Sequence, residues 1–277
     1  MKKKKLINTV KKLVLQANTE LRKDVLILLK DAYQREKNVR AKEALGIIVE
    51  NTRVARLSRI ALCQDTGLPI VFLDAGPDVN ITRDLVEVIQ ETIETAYEEY
   101  GLRASRIDSK GRLSHRADMT HIAFTKKKGL TITVFPKGFG SENKSQLKMF
   151  NPTVSREDID EFIVDAIKRA GPSACPPYIV GIGIGGTSDS CLLLAKESLL
   201  ARVDKPSKDN EISQWEQTLC EKINKLNIGP MGLGGKYTCI SVKIKRAPTH
   251  IAGLPIGVNI SCHALRSATA TIPKASL

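Results

Sequence analysis

The chain has 277 residues, 42% of them hydrophobic, 26% charged and 4% aromatic, and 43 Lys and Arg against 30 Asp and Glu leave a formal charge of +13. That length and apolar content suit a sizeable packed core and exclude both a disulfide-stapled miniprotein and wholesale disorder. No apolar run reaches the roughly 18 residues a bilayer span needs. The start, MKKKKLINTVKKLVLQANTE, lacks the cleavage site of a secretory leader, so the expected location is the cytoplasm.

A basic excess attracts anionic partners. Nucleic acid is the weaker reading here, because six Phe, five Tyr and one Trp offer few stacking platforms. Lys2 to Lys5 and Lys126 to Lys128 read as solvated surface, and a membrane partner is not expected.

Taken in chain order, the first hundred residues are mostly helical in pattern. In LRKDVLILLKDAYQREK the apolar Leu21, Val25, Leu28 and Leu29 recur at helical spacing, and residues 41–57 continue it. Gly67 and Pro69 in TGLPIVFLDAG mark a turn that leads into a short strand. Residues 82–100 return to helix with Thr82 as N-cap. HIAFTKKKGLTITVFPKG alternates as a hairpin does, with Gly129 near its turn. Residues 155–170 open as S-R-E-D, a Ser N-cap with acids in the first turn. YIVGIGIGG then reads as a strand, TSDSCLLLAKESLLA as a helix, residues 209–226 as a helix and KYTCISVKIKRA as a strand, before a loop-rich ending. The expected fold class is α+β. A single domain of residues 1–277 comprises a helical N-terminal part (1–60) and a mixed α/β part (61–277).

Six cysteines fall into two groups. Cys191 and Cys220 lie within predicted helices and Cys239 within a predicted strand, where packing is the default for a thiol. Cys63 in ALCQDTGLP, Cys175 in SACPPY and Cys262 in VNISCHA instead sit at irregular, turn-rich sites that can present a thiolate. Their spacing matches neither a zinc knuckle nor a ferredoxin-type run. Dispersed loop thiolates of this kind can still converge on one iron–sulfur cluster.

CQDTG, PKGFGSENKSQLKM, CPPYIVGIGIGGTSD, GPMGLGG and RAPTHIAGLPIGVNISCHA occur in that order. Together they resemble the cluster-binding half of the class I fumarate hydratase and L-tartrate dehydratase family of iron–sulfur hydro-lyases. The resemblance runs from about residue 26 to the C-terminus. It implies a [4Fe–4S] cluster held by Cys63, Cys175 and Cys262, with one iron left open as a Lewis acid. It further implies Gln64 as a substrate ligand and Asp65 as the catalytic residue that orients substrate or supports the base. His250 is implied to contact substrate, and the loop of Gly138 and Gly140 to bind a substrate carboxylate through its backbone. The substrate class is a four-carbon dicarboxylate. Fumarate with L-malate, a tricarboxylic acid cycle pair, is the first reading; L-tartrate, or a non-catalytic iron–sulfur paralogue, is the alternative.

Two departures accompany the resemblance. The family's N-T-G-D-N-T stretch is missing from LRASRIDSKGRLSHRADMTHIAF, where Arg112 best matches the carboxylate-binding arginine and Arg116 is its alternative. The chain also stops at Leu277, where two-subunit members divide. A separate β subunit is therefore expected to supply the proton-abstracting group, in an α2β2 assembly. Gly181, Gly183 and Gly186 form a G-x-G-x-x-G pattern; close strand–helix packing explains it more simply than a dinucleotide.

Overall fold

The computed structural model describes residues 2–276. Its first elements are α1 (Lys2–Thr19), α2 (Lys23–Arg35), α3 (Val39–Ser58), β1 (Leu68–Ala75) and α4 (Arg83–Glu99). Next come β2 (Arg106–Ile107), β3 (Leu113–Ser114), β4 (Met119–Phe124), β5 (Leu130–Lys137), α5 (Phe139–Glu142) and β6 (Gln146–Phe150). The remainder is α6 (Arg156–Ala170), β7 (Tyr178–Gly186), α7 (Ser188–Ser198), α8 (Asn210–Asn224), β8 (Cys239–Thr249), β9 (Leu254–Ser261) and β10 (Ala268–Ile272). Helices and sheets of mixed strand direction make this an α+β protein. No described helix is long and apolar enough to cross a membrane.

Helix starts follow local capping chemistry. The Thr82 hydroxyl accepts the Leu85 N–H at 3.2 Å, and the Ser155 hydroxyl accepts that of Asp158 at 3.1 Å. The Asp209 carboxylate takes the amides of Glu211 and Ile212. Each side chain satisfies a donor that the first helical turn would otherwise leave unpaired.

Contacts divide the chain into two compact units. The first comprises Met1–Arg22, Asn51–Phe139 and Arg266–Leu277. Its sheet runs β10-β5-β1-β4, with β1 parallel to β4 and antiparallel to β5. Leu6, Val10, Val14 and Ala17 of α1 and Ile89, Ile93, Ala96 and Tyr97 of α4 pack with Val71, Leu73, Leu130 and Ile132 of the sheet. Helical spacing of the apolar residues of α1 and α4 thus lays one face of each on the core.

Here the hairpin expected across KKKG does not form. The strands β4 and β5 are not partners; β1 lies between them, pairing Val71 with both Thr120 and Val134. The physical reason lies in β1, whose Pro69 to Leu73 are buried without alternation, as suits a strand with neighbours on both sides.

The second unit comprises Lys23–Glu50 and Gly140–Leu265. Its sheet runs β6-β9-β7-β8, β7 being parallel to β8 and antiparallel to β9. Ile163, Ile167, Tyr178, Val180, Ile182, Leu219, Ile223, Val258 and Ile260 lie in its core. α7 packs directly on β7: a Cβ at Gly181 would stand 2.1 Å from the Ala195 carbonyl oxygen, and one at Gly183 2.0 Å from that of Cys191. Those two glycines therefore serve strand–helix packing. The ending expected to be loop-rich contains β9 and β10; LPIGVNIS is buried almost throughout because β6 and β7 flank it.

Candidate functional site

In the first unit the segment between α3 and β1 is irregular, and it is held residue by residue. The Leu62 amide donates to the Asn18 carbonyl at 2.8 Å, and Asn51 Nδ2 donates to the Leu62 carbonyl at 2.9 Å. Arg266, 3% exposed, donates through Nη2 to the Asp65 carbonyl. The Tyr97 hydroxyl donates to the Thr66 carbonyl at 3.3 Å, and burial above all pushes that phenol up to about 12, keeping it a donor. Gly67 closes the turn at φ +77°, where a Cβ would meet the Lys137 amide nitrogen at 2.9 Å. Because side chains from α3, α4 and Arg266 meet this backbone, Cys63 and the exposed Gln64 stand on a firm loop without regular structure.

Asp65 has a definite task there. Its Oδ1 accepts the Gly67 amide and its Oδ2 the Phe139 amide, both at 2.9 Å. A Cβ on Gly138 would come within 3.2 Å of Oδ2. The carboxylate thus fastens the CQDTG turn to the glycine loop, one oxygen to each.

Arg112 lies in the β2–β3 hairpin, where its Nε donates to Asp108 Oδ2 at 2.8 Å. Hydrogen bonds from Arg112, its backbone amide first and then its side chain, hold the Asp108 carboxyl below the usual carboxylate range. Arg116 is exposed and has no ion-pair partner among the described residues.

In the second unit, register brings two of the selected cysteines to one place. β7 and β9 run antiparallel with Ile179 opposite Ser261. Cys175, three residues before β7, and Cys262, one residue after β9, therefore share one end of the sheet. Cys175 adopts φ +57°, a left-handed conformation that costs a residue with a Cβ about 1–2 kcal/mol. Such an outlier persists where its surroundings over-determine it. Its amide donates to the Pro172 carbonyl at 3.2 Å, and the Met231 amide to the Pro176 carbonyl at 2.9 Å. Gly232 packs on Pro172, where a Cβ would sit 2.5 Å from that ring's own Cβ. GPMGLGG is thus a brace for the CPP loop.

Tyr178 anchors the same loop by donating its hydroxyl to the Gly171 carbonyl. Burial first, then the neighbouring Cys175 and Cys262, push its phenol up to about 12. The His263 main-chain amide and ring Nδ1 both meet the Cys175 carbonyl, at 3.2 and 3.0 Å. Gly140 is the second residue of α5, shortly before β6, whose pairing of Gln146 with Val258 puts it toward the Cys262 end.

His250 is elsewhere. It follows β8 beside the Gly186–Thr249 pairing, at the opposite end of the sheet from Cys175 and Cys262. At about 3.3 Å per residue, the length of β7 separates them by roughly 25 Å. Its Nδ1 accepts the Ala252 amide at 3.2 Å, so the neutral ring carries its proton on Nε2. The chain motif thus does not bring His250 to the cysteine end of its own unit.

Thiol exposure follows the sequence division at five of the six positions. Cys175 is exposed and Cys63 and Cys262 are half-buried, whereas Cys191 and Cys239 are buried; Cys220, on α8, is half-buried as well. Burial pushes Cys191 up to about 11, and burial with the adjoining Cys220 raises Cys239. At about pH 8 a thiol of that kind is ionised on the order of one part in a thousand. Iodoacetamide is accordingly expected to label Cys175 first and to spare Cys191 and Cys239 until the iron-free protein unfolds. Peptide mapping by mass spectrometry reads the order, and early labelling of Cys191 would contradict it.

These thiols fit an iron–sulfur group in donor chemistry, since soft thiolates suit iron–sulfur clusters. They fit it in placement for Cys175 and Cys262. Among the described residues no three His, Cys, Asp or Glu side chains already stand together as a metal site. His263, Arg266 and Tyr97 were not singled out from the sequence. Only the neighbourhood of His263 to Cys262 could have drawn attention to it, and nothing local marks the other two.

The profile of the family described as fumarate hydratase (fumerase) matches residues 7–271. The chain is 40% identical over 274 residues to a Methanocaldococcus jannaschii protein provisionally named L(+)-tartrate dehydratase subunit alpha, covering 95% of this chain and 96% of that one. It is 29% identical to a Geobacillus stearothermophilus protein provisionally named fumarate hydratase class I, of which it spans 54%. The L(+)-tartrate dehydratase subunit alpha of Escherichia coli (strain K12) is 24% identical, with 96% of this chain and 90% of that one covered. The match over residues 7–271 and the 40% identity place this chain in the fumarate hydratase family of hydro-lyases.

Proposed function

We propose that the chain is the α subunit of a two-subunit iron–sulfur hydro-lyase acting on a four-carbon dicarboxylate in the cytoplasm. Reversible hydration of fumarate to L-malate is the primary reading, with residues 1–277 working as one cluster-binding domain in an α2β2 assembly. The observation that carries it is the strained, exposed Cys175 beside Cys262, within a family match that runs almost the whole chain. Cys63, Cys175 and Cys262 are the proposed ligands of a [4Fe–4S] cluster. When bound, that group supplies a Lewis acid toward the departing or entering hydroxyl.

The remaining work falls to the chain's own residues. Gln64, next to Cys63 and exposed, offers an amide to a substrate carboxylate. Asp65 orients the glycine loop through the Phe139 amide, and so sets where the Gly138 and Gly140 backbone meets the substrate. A dianion needs cationic partners once it leaves water. Arg112, paired with Asp108 at the exposed β2–β3 hairpin, is the proposed carboxylate partner, and the exposed Arg116 is its alternative. The proton-abstracting group belongs to the β subunit.

L-Tartrate dehydration is the second reading. It is favoured by the relatives of matching length, two of which carry that name. Anaerobic co-purification with a cognate β chain, followed by assays with fumarate, L-malate and L-tartrate, decides between them. Turnover of fumarate and L-malate supports the first reading and turnover of L-tartrate the second. A cluster-loaded assembly inert toward all three supports a non-catalytic paralogue.

A further inference from the structure

We propose that His263 is a positioning residue that locks the Cys175 and Cys262 loops into one preformed pair of thiolate donors. The inference deepens the cluster reading above and rests on it. Cys175 holds a left-handed backbone conformation without glycine's freedom, and it is exposed, so burial of its side chain does not pin it. Besides the Pro172 contact of its amide, its carbonyl oxygen is pinned by two donors from one residue: the His263 amide at 3.2 Å and the ring Nδ1 at 3.0 Å.

A carbonyl only accepts, so the ring contact is a hydrogen bond when Nδ1 carries a proton. His263 is bonded directly to Cys262 in the chain. The clasp therefore fixes the Cys175 peptide plane relative to the peptide that bears the second thiol. The β7–β9 register brings the two loops to the same sheet end, and His263 sets their mutual orientation. A donor pair ordered before the metal arrives has less freedom to lose on binding it.

The test uses the full chain reconstituted anaerobically with iron and sulfide, carrying His263→Ala, His263→Gln or His263→Asn. The Asn side chain can place an N–H near the position of Nδ1–H, whereas Gln places its own too far out. Visible cluster absorbance is followed during challenge with a ferrous chelator, and calorimetry checks the fold. H263A and H263Q are expected to lose absorbance about 10-fold faster than the parent or more, the scale of losing a partner that orients a metal ligand. H263N is expected to restore most of the lifetime, with all three unfolding near the parent temperature.

Equal lifetimes for H263A and the parent would overturn the clasp, as would rescue by Gln but not Asn. A parent that assembles no cluster would overturn the cluster reading instead. Iron-free protein in a Cys220→Ser background then tests the clasp separately, with phenylarsine oxide as a probe of paired thiols. Its affinity should fall on replacing Cys175, Cys262 or His263, and indifference to His263 would overturn the clasp by itself.

Discussion

Cys175→Ser is expected to abolish the visible cluster absorbance of anaerobically prepared protein and, with the β chain present, to remove hydro-lyase turnover. A metal Lewis acid is worth several kcal/mol at the transition state, so the loss should be about 10³-fold or greater. Serine keeps the volume and can adopt the same φ of +57°, held by the Pro172 and His263 contacts, so the fold should survive. Cys63→Ser and Cys262→Ser should behave alike. Cys220→Ser, on α8 with its thiol against the Cys239 carbonyl, should keep full absorbance and activity. Iron and sulfide quantification, with circular dichroism as the check on folding, reads the outcome. Bleaching by C220S with retention by C175S would reverse the ligand assignment.

Gly183→Ala should strongly destabilise the second unit. Its Cβ would fall 2.0 Å from the Cys191 carbonyl oxygen, 2.8 Å from the Ala195 nitrogen and 3.0 Å from the Leu194 Cβ. Two of these are backbone atoms, so no side chain can rotate away, and α7 as a whole must lift from β7. Overpacking of this sort costs about 3 kcal/mol or more. For a chain of this size that lowers the unfolding midpoint by roughly 10 °C. Gly181→Ala meets the Ala195 carbonyl oxygen at 2.1 Å and should cost a similar amount. Gly253→Ala serves as the control, since its Cβ would make an ordinary 3.9 Å contact with Met149. Scanning calorimetry separates the cases, and an unchanged midpoint for G183A would show that α7 does not lie as close to β7 as described.

The same distances bear on the glycine pattern of β7. A dinucleotide loop would need its glycines open to a phosphate, whereas Gly181 and Gly183 are filled by the backbone of α7. In the sequence, that reading was already the weaker one, because the pattern belongs to a block of family motifs and close strand–helix packing explains it more simply. The distances supply its cause.

What the sequence determined alone was whatever depends on interactions a few residues apart. Thr82, Ser155 and Asp209 start their helices because a short polar side chain reaches an amide two or three positions on. Cys175 and Cys262 stand out because proline, glycine or polar neighbours keep them off regular elements, and the exposure of Cys175 agrees. Pairing between strands has no such local code. KKKG looked like a hairpin turn, yet β1, which precedes β4 by more than forty residues, lies between the two strands because its buried run needs partners on both edges.

The same holds for the site. Only the antiparallel register of β7 and β9 carries Cys175 to Cys262 across 87 residues of chain, and the parallel register of β7 and β8 carries His250 to the far end. The buried Arg266 that holds Asp65, 201 positions away, and the ring of His263 on the Cys175 carbonyl became visible only with the fold. Both hydrogen bonds depend on donor and acceptor being aimed at each other by packing that distant segments create together, and that of the buried Arg266 is shielded from water as well.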